Sequence, residues 1–279
     1  GVYTALDKSK KARKIYKQVM VAHPKNEEAC IFLSKSYALE KEHKKAKKLL
    51  KSCEEKIKGK AIFSYFMGKM SVDLGDREEA MSHFRHALKV EKKYHQAAIA
   101  LGLLYEEKED FKNSVKVYER FLKVDEMNYP VLSRLVQVLF ANGKYKEVLP
   151  YVEKLSSLDQ NDLNLKVRLG ILYTDRKMYQ KAISVFKDIL IAAPKSDKIL
   201  YYLGSLFQQT SKFEVAIRYF QNVPSESTLF LDSNLQIAQM LQALAMRDRL
   251  KWEPKLLSFA EGTKSGDSKA RIEVGIVLT

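Results

Sequence analysis

The chain repeats itself every 34 residues, and no other feature constrains its fold as much. Gly68, Gly102, Gly170 and Gly204 are spaced by 34, 68 and 34, and the two open slots of the series hold Ser34 and Val136. Leu33, Met67, Leu101, Leu135, Leu169 and Leu203 precede the slots, and Tyr37, Ser71, Tyr105, Leu139, Tyr173 and Phe207 follow three places later. Twelve places on stands a second, mostly small column of Ala12, Ala46, Ala80, Ser114, Val148, Ala182 and Ala216. Four further come Tyr16, Leu50, Phe84, Tyr118, Val152, Phe186 and Phe220. No insertion or deletion interrupts the pattern between Ala12 and Phe220.

The spacings within one period are helical. Leu169, Gly170 and Tyr173 share a face, as do Ala182, Phe186 and Ile189, at i, i+3/i+4 and i+7 intervals. The short polar stretch Asp175-Arg176-Lys177 between them predicts two antiparallel helices joined by a tight turn. Glycine inside a helix costs roughly 0.5–1 kcal/mol relative to alanine, so a recurring glycine column implies a close approach of the two helices. The large aromatic residues then fill the space between one pair and the next. Pro24 and Pro194 fall between repeats, where one helix ends and the next begins.

Over about residues 1–262 these columns resemble the tetratricopeptide repeat family. The resemblance implies an all-α fold, a right-handed superhelical solenoid whose first helices line a concave groove. It divides the chain into a partial repeat at 1–26, full repeats at 27–60, 61–94, 95–128, 129–162, 163–196 and 197–230, and an irregular repeat at 231–267. The repeat at 129–162, with Val136 in the glycine slot, is expected to hold a slightly wider helix pair. Tyr3 falls one period before Tyr37, so residues 1–6 read as the last turn of a first helix with Ser9–Ala22 as its partner. Pro254 occupies an aromatic slot, which predicts a short second helix over Pro254–Glu261 and a break at Gly262-Thr263 and Ser265-Gly266-Asp267. Residues 268–279 read as the first helix of a further repeat, with a disordered tail as the alternative. Both ends look cut, as in a piece of a longer solenoid.

The formal charge is +15. Residues 1–60 hold 17 Lys+Arg against 7 Asp+Glu, so the excess is concentrated in the N-terminal quarter. A solvated lysine face explains this most simply; the other reading is a non-specific nucleic-acid patch. The related pentatricopeptide proteins read RNA, but their repeat is one residue longer and lacks the Gly/Tyr pairing, so nucleic acid is not the expected partner. No apolar run approaches the ~18 residues of a membrane span.

Catalysis needs convergent polar groups, and the sequence offers none. Gly-rich phosphate loops, Gly-x-Ser-x-Gly and Cys-x-x-Cys are absent, so neither an enzyme nor a cofactor is expected. His83 and His86 are spaced to hold a metal, but lack a third ligand nearby and read as surface histidines. Cys30 and Cys53 fall at adjoining ends of two antiparallel helices. They are either two buried thiols or a disulfide.

On the family pattern, the groove is lined by Ile31 and Lys35, Tyr65 and Lys69, Ile99 and Leu103, Gln137 and Phe140, Val167 and Ile171, and Tyr201 and Ser205, with Glu106, Thr174 and Gln208 beside them. Members that grip chaperone tails use a clamp of Lys, Asn, Asn, Lys and Arg, and the matching stations here hold Ile31, Tyr65, Ile99 or Lys35, Lys69, Leu103. A different partner follows: a protein or peptide held mainly through apolar contacts, with Lys35 and Lys69 selecting acidic groups. The protein is thus expected to be a scaffold, or the scaffold portion of a larger protein. The lysine-rich, glycine-poor style resembles bacterial members, cell-envelope ones included.

Overall fold

Every one of the fifteen helices among the described residues follows from the columns above or from a capping residue. The computed structural model describes residues 9–264, and among them there are helices and no strand. The expectations for residues 1–6 and 268–279 lie outside the described residues. The chain divides into two compact units, Gly1–Leu158 and Asp159–Thr279.

The first unit runs α1 Ser9–Ala22, α2 Glu27–Leu39, α3 His43–Lys56, α4 Ala61–Asp73, α5 Arg77–Val90, α6 His95–Glu107, α7 Phe111–Leu122, α8 Tyr129–Ala141 and α9 Tyr145–Leu158. Each helix packs on the next, and the first helices α6 and α8 also touch. Asn26, Asp76, Asp110 and Asn128 cap helix starts by accepting the backbone N–H three residues on. The pairs Ser71–Glu79, Gly68–Phe84 and Ser64–His86 join α4 to α5 in opposite order along the two helices, so the hairpin is antiparallel.

The glycine slot proves to be a seat for an aromatic ring. A Cβ added at Gly68 would lie 2.5 Å from Phe84 Cε1, and one at Gly102 would lie 2.3 Å from Tyr118 Cζ. Where the slot holds Val136, the residue sixteen places on, in the position of Phe84 and Tyr118, is Val152, and both are buried. A small residue is matched with a large one, and a medium residue with a medium one. Total volume is conserved across the pair, as close packing demands.

The hairpin turns share a second regularity. Lys41, Gly75, Glu109 and Gly143 all have left-handed backbones, with φ of 60°, 83°, 57° and 66°. The next N–H reaches back to the carbonyl of the aromatic-column residue, as in Glu42 to Tyr37 at 2.9 Å and Lys144 to Leu139 at 2.8 Å. This is the Schellman arrangement, which satisfies carbonyls a helix end leaves open.

Cys30 of α2 and Cys53 of α3 form a disulfide, with Cα atoms 6.4 Å apart. Both are buried beside Leu50, Phe63 and Met67. Neighbouring hairpins are further joined by charged pairs about one period apart, among them Lys60–Glu27 at 3.1 Å and Arg77–Glu107 at 3.4 Å.

The second unit runs α10 Leu163–Asp175, α11 Tyr179–Ala192, α12 Asp197–Gln209, α13 Phe213–Gln221, α14 Phe230–Arg247 and α15 Arg249–Lys264. Rings of Phe186 and Phe220 fill the seats at Gly170 and Gly204, and Lys177 and Ser211 repeat the left-handed turn with φ of 56° and 59°. Ile237, Ala238 and Leu241 carry the columns into α14 as buried residues. The short helix expected from Pro254 to Glu261 is corrected at both ends. α15 starts at Arg249 and keeps Pro254 inside it. Asp248 provides the start, its carboxylate accepting the Lys251 N–H at 3.2 Å. Trp252 anchors the turn at 6% exposure. The Gly262-Thr263 part of the expected break falls inside α15, which continues to Lys264; Ser265-Gly266-Asp267 lies outside the described residues.

Candidate functional site

First helices present the residues that the groove reading singled out, and four of them meet in one cavity. The floor of this cavity, about 390 Å³, is built from α4, α6 and the start of α8. It gathers Tyr65, Lys69, Ile99 and Leu103 with Phe84, Ala100 and Pro130. Tyr65 leads because its ring is held on three sides, by Phe66 at 5.3 Å, Tyr94 at 5.4 Å and Phe84 at 5.8 Å. Burial raises the pKa of the Tyr65 phenol. Leu103 projects at 37% exposure.

Sequence reasoning missed the polar half of the rim. Asp73, His95 and Glu107 line the same cavity. Asp73 and Glu107 stand four residues beyond Lys69 and Leu103, one turn along the same helix face, so helical spacing was the available signal. Each carboxylate has a basic neighbour: His43 Nδ1 lies 3.4 Å from Asp73, and Arg77 Nε lies 3.4 Å from Glu107. The rim is therefore of mixed charge, with Lys69 its exposed cation.

The other groove residues are distributed differently. Ile31 is 6% exposed and packs in the core with Leu50 and Phe63. Lys35 lies over the rings of Phe66 at 4.8 Å and Phe32 at 5.6 Å. Gln137 accepts a hydrogen bond from Arg134 at 2.9 Å, and Phe140 meets Tyr145 edge-on at 6.0 Å. Glu106 is held inside its hairpin: one oxygen accepts from Tyr118 at 2.6 Å, and the other from Arg134 at 2.8 Å. Burial first, and this carboxylate second, push the Tyr118 phenol far above its ordinary range. In the second unit, Val167 and Ser205 are half-buried, Ile171 is 37% exposed, and Tyr201 packs edge-on against Phe220 at 5.3 Å. Thr174 donates to the Gly170 carbonyl at 2.9 Å, and Gln208 donates to Gln236 at 2.7 Å.

The histidine pair is tied into the packing. His86 Nδ1 lies 2.8 Å from Ser64 Oγ, which itself donates to Glu54 at 2.6 Å. Burial, ahead of the nearby Lys47 charge, lowers the pKa of His83. Among the described residues no three His, Cys, Asp or Glu side chains are grouped to hold a metal ion.

Antiparallel helix pairs of fixed period, packed each on the next, define a helical-hairpin repeat protein. Residues 63–94 and 95–127 match the tetratricopeptide repeat family, so these two hairpins are repeats of that family. It is 21% identical over 233 residues to anaphase-promoting complex subunit 3 of Schizosaccharomyces pombe, an alignment covering 78% of this chain and 33% of that protein. It is 22% identical over 214 residues to BBSome complex member BBS4 of Bos taurus, covering 77% of this chain and 41% of that one. The chain thus spans less than half the length of these relatives. A solved structure of Naa15/Naa10 bound to HypK-THB superposes with a TM-score of 0.64 at 14% identity, over 88% of this chain and 38% of that one. That likeness shows the fold alone.

Proposed function

We propose that this protein is a non-enzymatic scaffold that binds a partner peptide or helix along its first helices. The observation that carries the reading is the cavity of about 390 Å³ in which Tyr65, Lys69, Ile99 and Leu103 converge from neighbouring repeats. A held aromatic ring and an exposed aliphatic side chain beside a cation suit a partner's apolar anchor flanked by an acidic group. The family is generally a non-catalytic scaffold, and the two relatives above carry the names of complex members. No helix among the described residues is long and apolar enough to cross a membrane. On this reading the repeats run at 27–60, 61–94, 95–128, 129–162, 163–196 and 197–230. The binding residues are Lys35, Tyr65, Lys69, Ile99, Leu103, Gln137 and Phe140 in the first unit, with Ile31 supporting them from the core, and Val167, Ile171, Tyr201 and Ser205 in the second.

The test is capture of binding proteins from the native host with the wild type and with Tyr65→Ala, Leu103→Asp and Tyr201→Ala, followed by calorimetry on the recovered partner. Loss of about 1–2 kcal/mol per aromatic anchor is expected. Unchanged affinity in all three variants removes the groove from the reading. Binding that instead falls steeply with salt and requires nucleic acid would favour the basic N-terminal helices as the working surface.

A further inference from the structure

A second cleft lies on the opposite side of α6 from the groove. Leu104 and Ala100 of that helix face the cavity already described, whereas Leu101 and Tyr105 form the floor of a cleft of about 360 Å³ between the second helices α5 and α7. Leu88, Val117, Phe121 and Val124 complete an apolar interior, with Val124 at 41% exposure. The rim carries Arg85, Lys89, Lys92 and Arg120, all exposed, and none of the lining residues is acidic. Arg85 donates to the Tyr105 hydroxyl at 2.8 Å, which fixes its guanidinium over the mouth.

Gathering four cations around apolar surface without a carboxylate among them is unfavourable through mutual repulsion. It becomes favourable when a ligand brings negative charge together with something to bury. We infer that this cleft binds an acidic peptide segment, in which glutamate or aspartate side chains flank one or two aliphatic side chains. The aliphatic groups enter between Leu88, Val117 and Val124, and the carboxylates meet Arg85, Lys89, Lys92 and Arg120. Its volume is at the small end for ligand sites, suited to side chains rather than a whole cofactor. The floor favours a peptide over single-stranded nucleic acid. Phe121 is 4% exposed and so offers no face for a base to stack on, and the half-buried Tyr105 has its hydroxyl held by Arg85. A recess also suits a membrane surface poorly, since bilayers are met by protruding apolar faces.

The experiment measures fluorescence anisotropy of labelled twelve-residue peptides on the full chain. One peptide alternates Glu with paired Leu, a second has Gln for Glu, and a third has Ala for Leu. The first should bind, and either replacement should weaken it by about tenfold or more, because charge and burial act together. The double variant Lys89→Glu/Arg120→Glu should weaken it as much, and Val124→Asn should weaken it without changing the charge of the cleft. Lys44→Glu/Lys48→Glu on α3, exposed and outside the cleft, changes the net charge equally and should leave affinity within about twofold. Circular dichroism establishes that each variant is folded. Equal losses in the two double variants would overturn the inference, since net charge alone would then explain binding. Loss in Tyr65→Ala with none in the cleft variants would also overturn it and assign the peptide to the groove. No binding of the acidic peptide, or preference of this cleft for a DNA duplex or phosphatidylserine vesicles, would overturn it too.

Discussion

Exchanging the bulk of one glycine–aromatic pair for the bulk of the valine pair tests whether volume is conserved across each hairpin. The perturbation is Gly68→Val with Phe84→Val, which copies Val136 and Val152 into the repeat two periods earlier. A Cβ at position 68 would stand 2.5 and 2.8 Å from two carbons of the Phe84 ring, so the ring must retreat by about 1 Å to restore ordinary contact. Phe84 is 1% exposed and packs among Ala80, Ala87 and Ala97, and has little room to move. Gly68→Val alone should cost ~3 kcal/mol, overpacking outweighing a helix-propensity gain of a few tenths. Phe84→Val alone should cost ~2–4 kcal/mol through the cavity it leaves. Together they should cost ~2–3 kcal/mol rather than the sum, a coupling of ~2 kcal/mol or more. Urea unfolding of the full chain, followed by circular dichroism and fluorescence, supplies the three differences. Transitions that do not coincide should be fitted as a repeat array. Coupling under ~0.5 kcal/mol would refute the reasoning, because the two positions would then be independent.

Other outcomes follow from the turns, the disulfide and the phenols. Gly75→Ala should destabilise by ~1 kcal/mol through backbone strain alone, as no atom lies within 4 Å of the added Cβ. Glu109→Gly or Lys177→Gly should stabilise by up to ~1 kcal/mol, and a lowered urea midpoint in either would count against the assignment. The Cys30–Cys53 bridge closes a span of 23 residues, so Cys30→Ala/Cys53→Ala should lose ~2–4 kcal/mol. Mass spectrometry after alkylation without reductant should find no modified thiol. Burial pushes the phenols of Tyr94 and Tyr151 up to about 12 from 10. The folded state then holds those protons after the unfolded chain has lost them, so stability is full below pH 10 and falls as pH rises towards about 12. In an alkaline absorbance titration Tyr94→Phe should remove amplitude from the late part of the curve, and removal from the early part would contradict the burial.

Sequence periodicity revealed buried columns because burial repeats with the helix. Ala46, Ala80, Ala182 and Ala216 are each 0% exposed. Conformation without a characteristic residue stayed hidden. The left-handed turn recurs at Lys41, Gly75, Glu109, Gly143, Lys177 and Ser211, yet only two of these are glycine. The hydrogen bond to the aromatic-column carbonyl holds the others there. α15 was misjudged because Pro254 was weighed and the cap at Asp248 was not. Among the residues the family pattern placed in the groove, Tyr65, Lys69, Ile99 and Leu103 line one cavity, whereas Glu106 accepts hydrogen bonds from Tyr118 and Arg134. The cleft over Leu101 has no signal in the spacing because it is assembled from α5, α6 and α7, and spacing along one helix does not reveal a surface shared by several.

Contacts such as Lys60–Glu27 and Arg77–Glu107 link residues 33 and 30 positions apart in sequence. A chain held in this way settles each hairpin against its immediate neighbour, without a distant segment having to be found first. Order can then spread along it like a zip fastener, quickly and from more than one starting place. Damage at one hairpin is felt next door and fades beyond it.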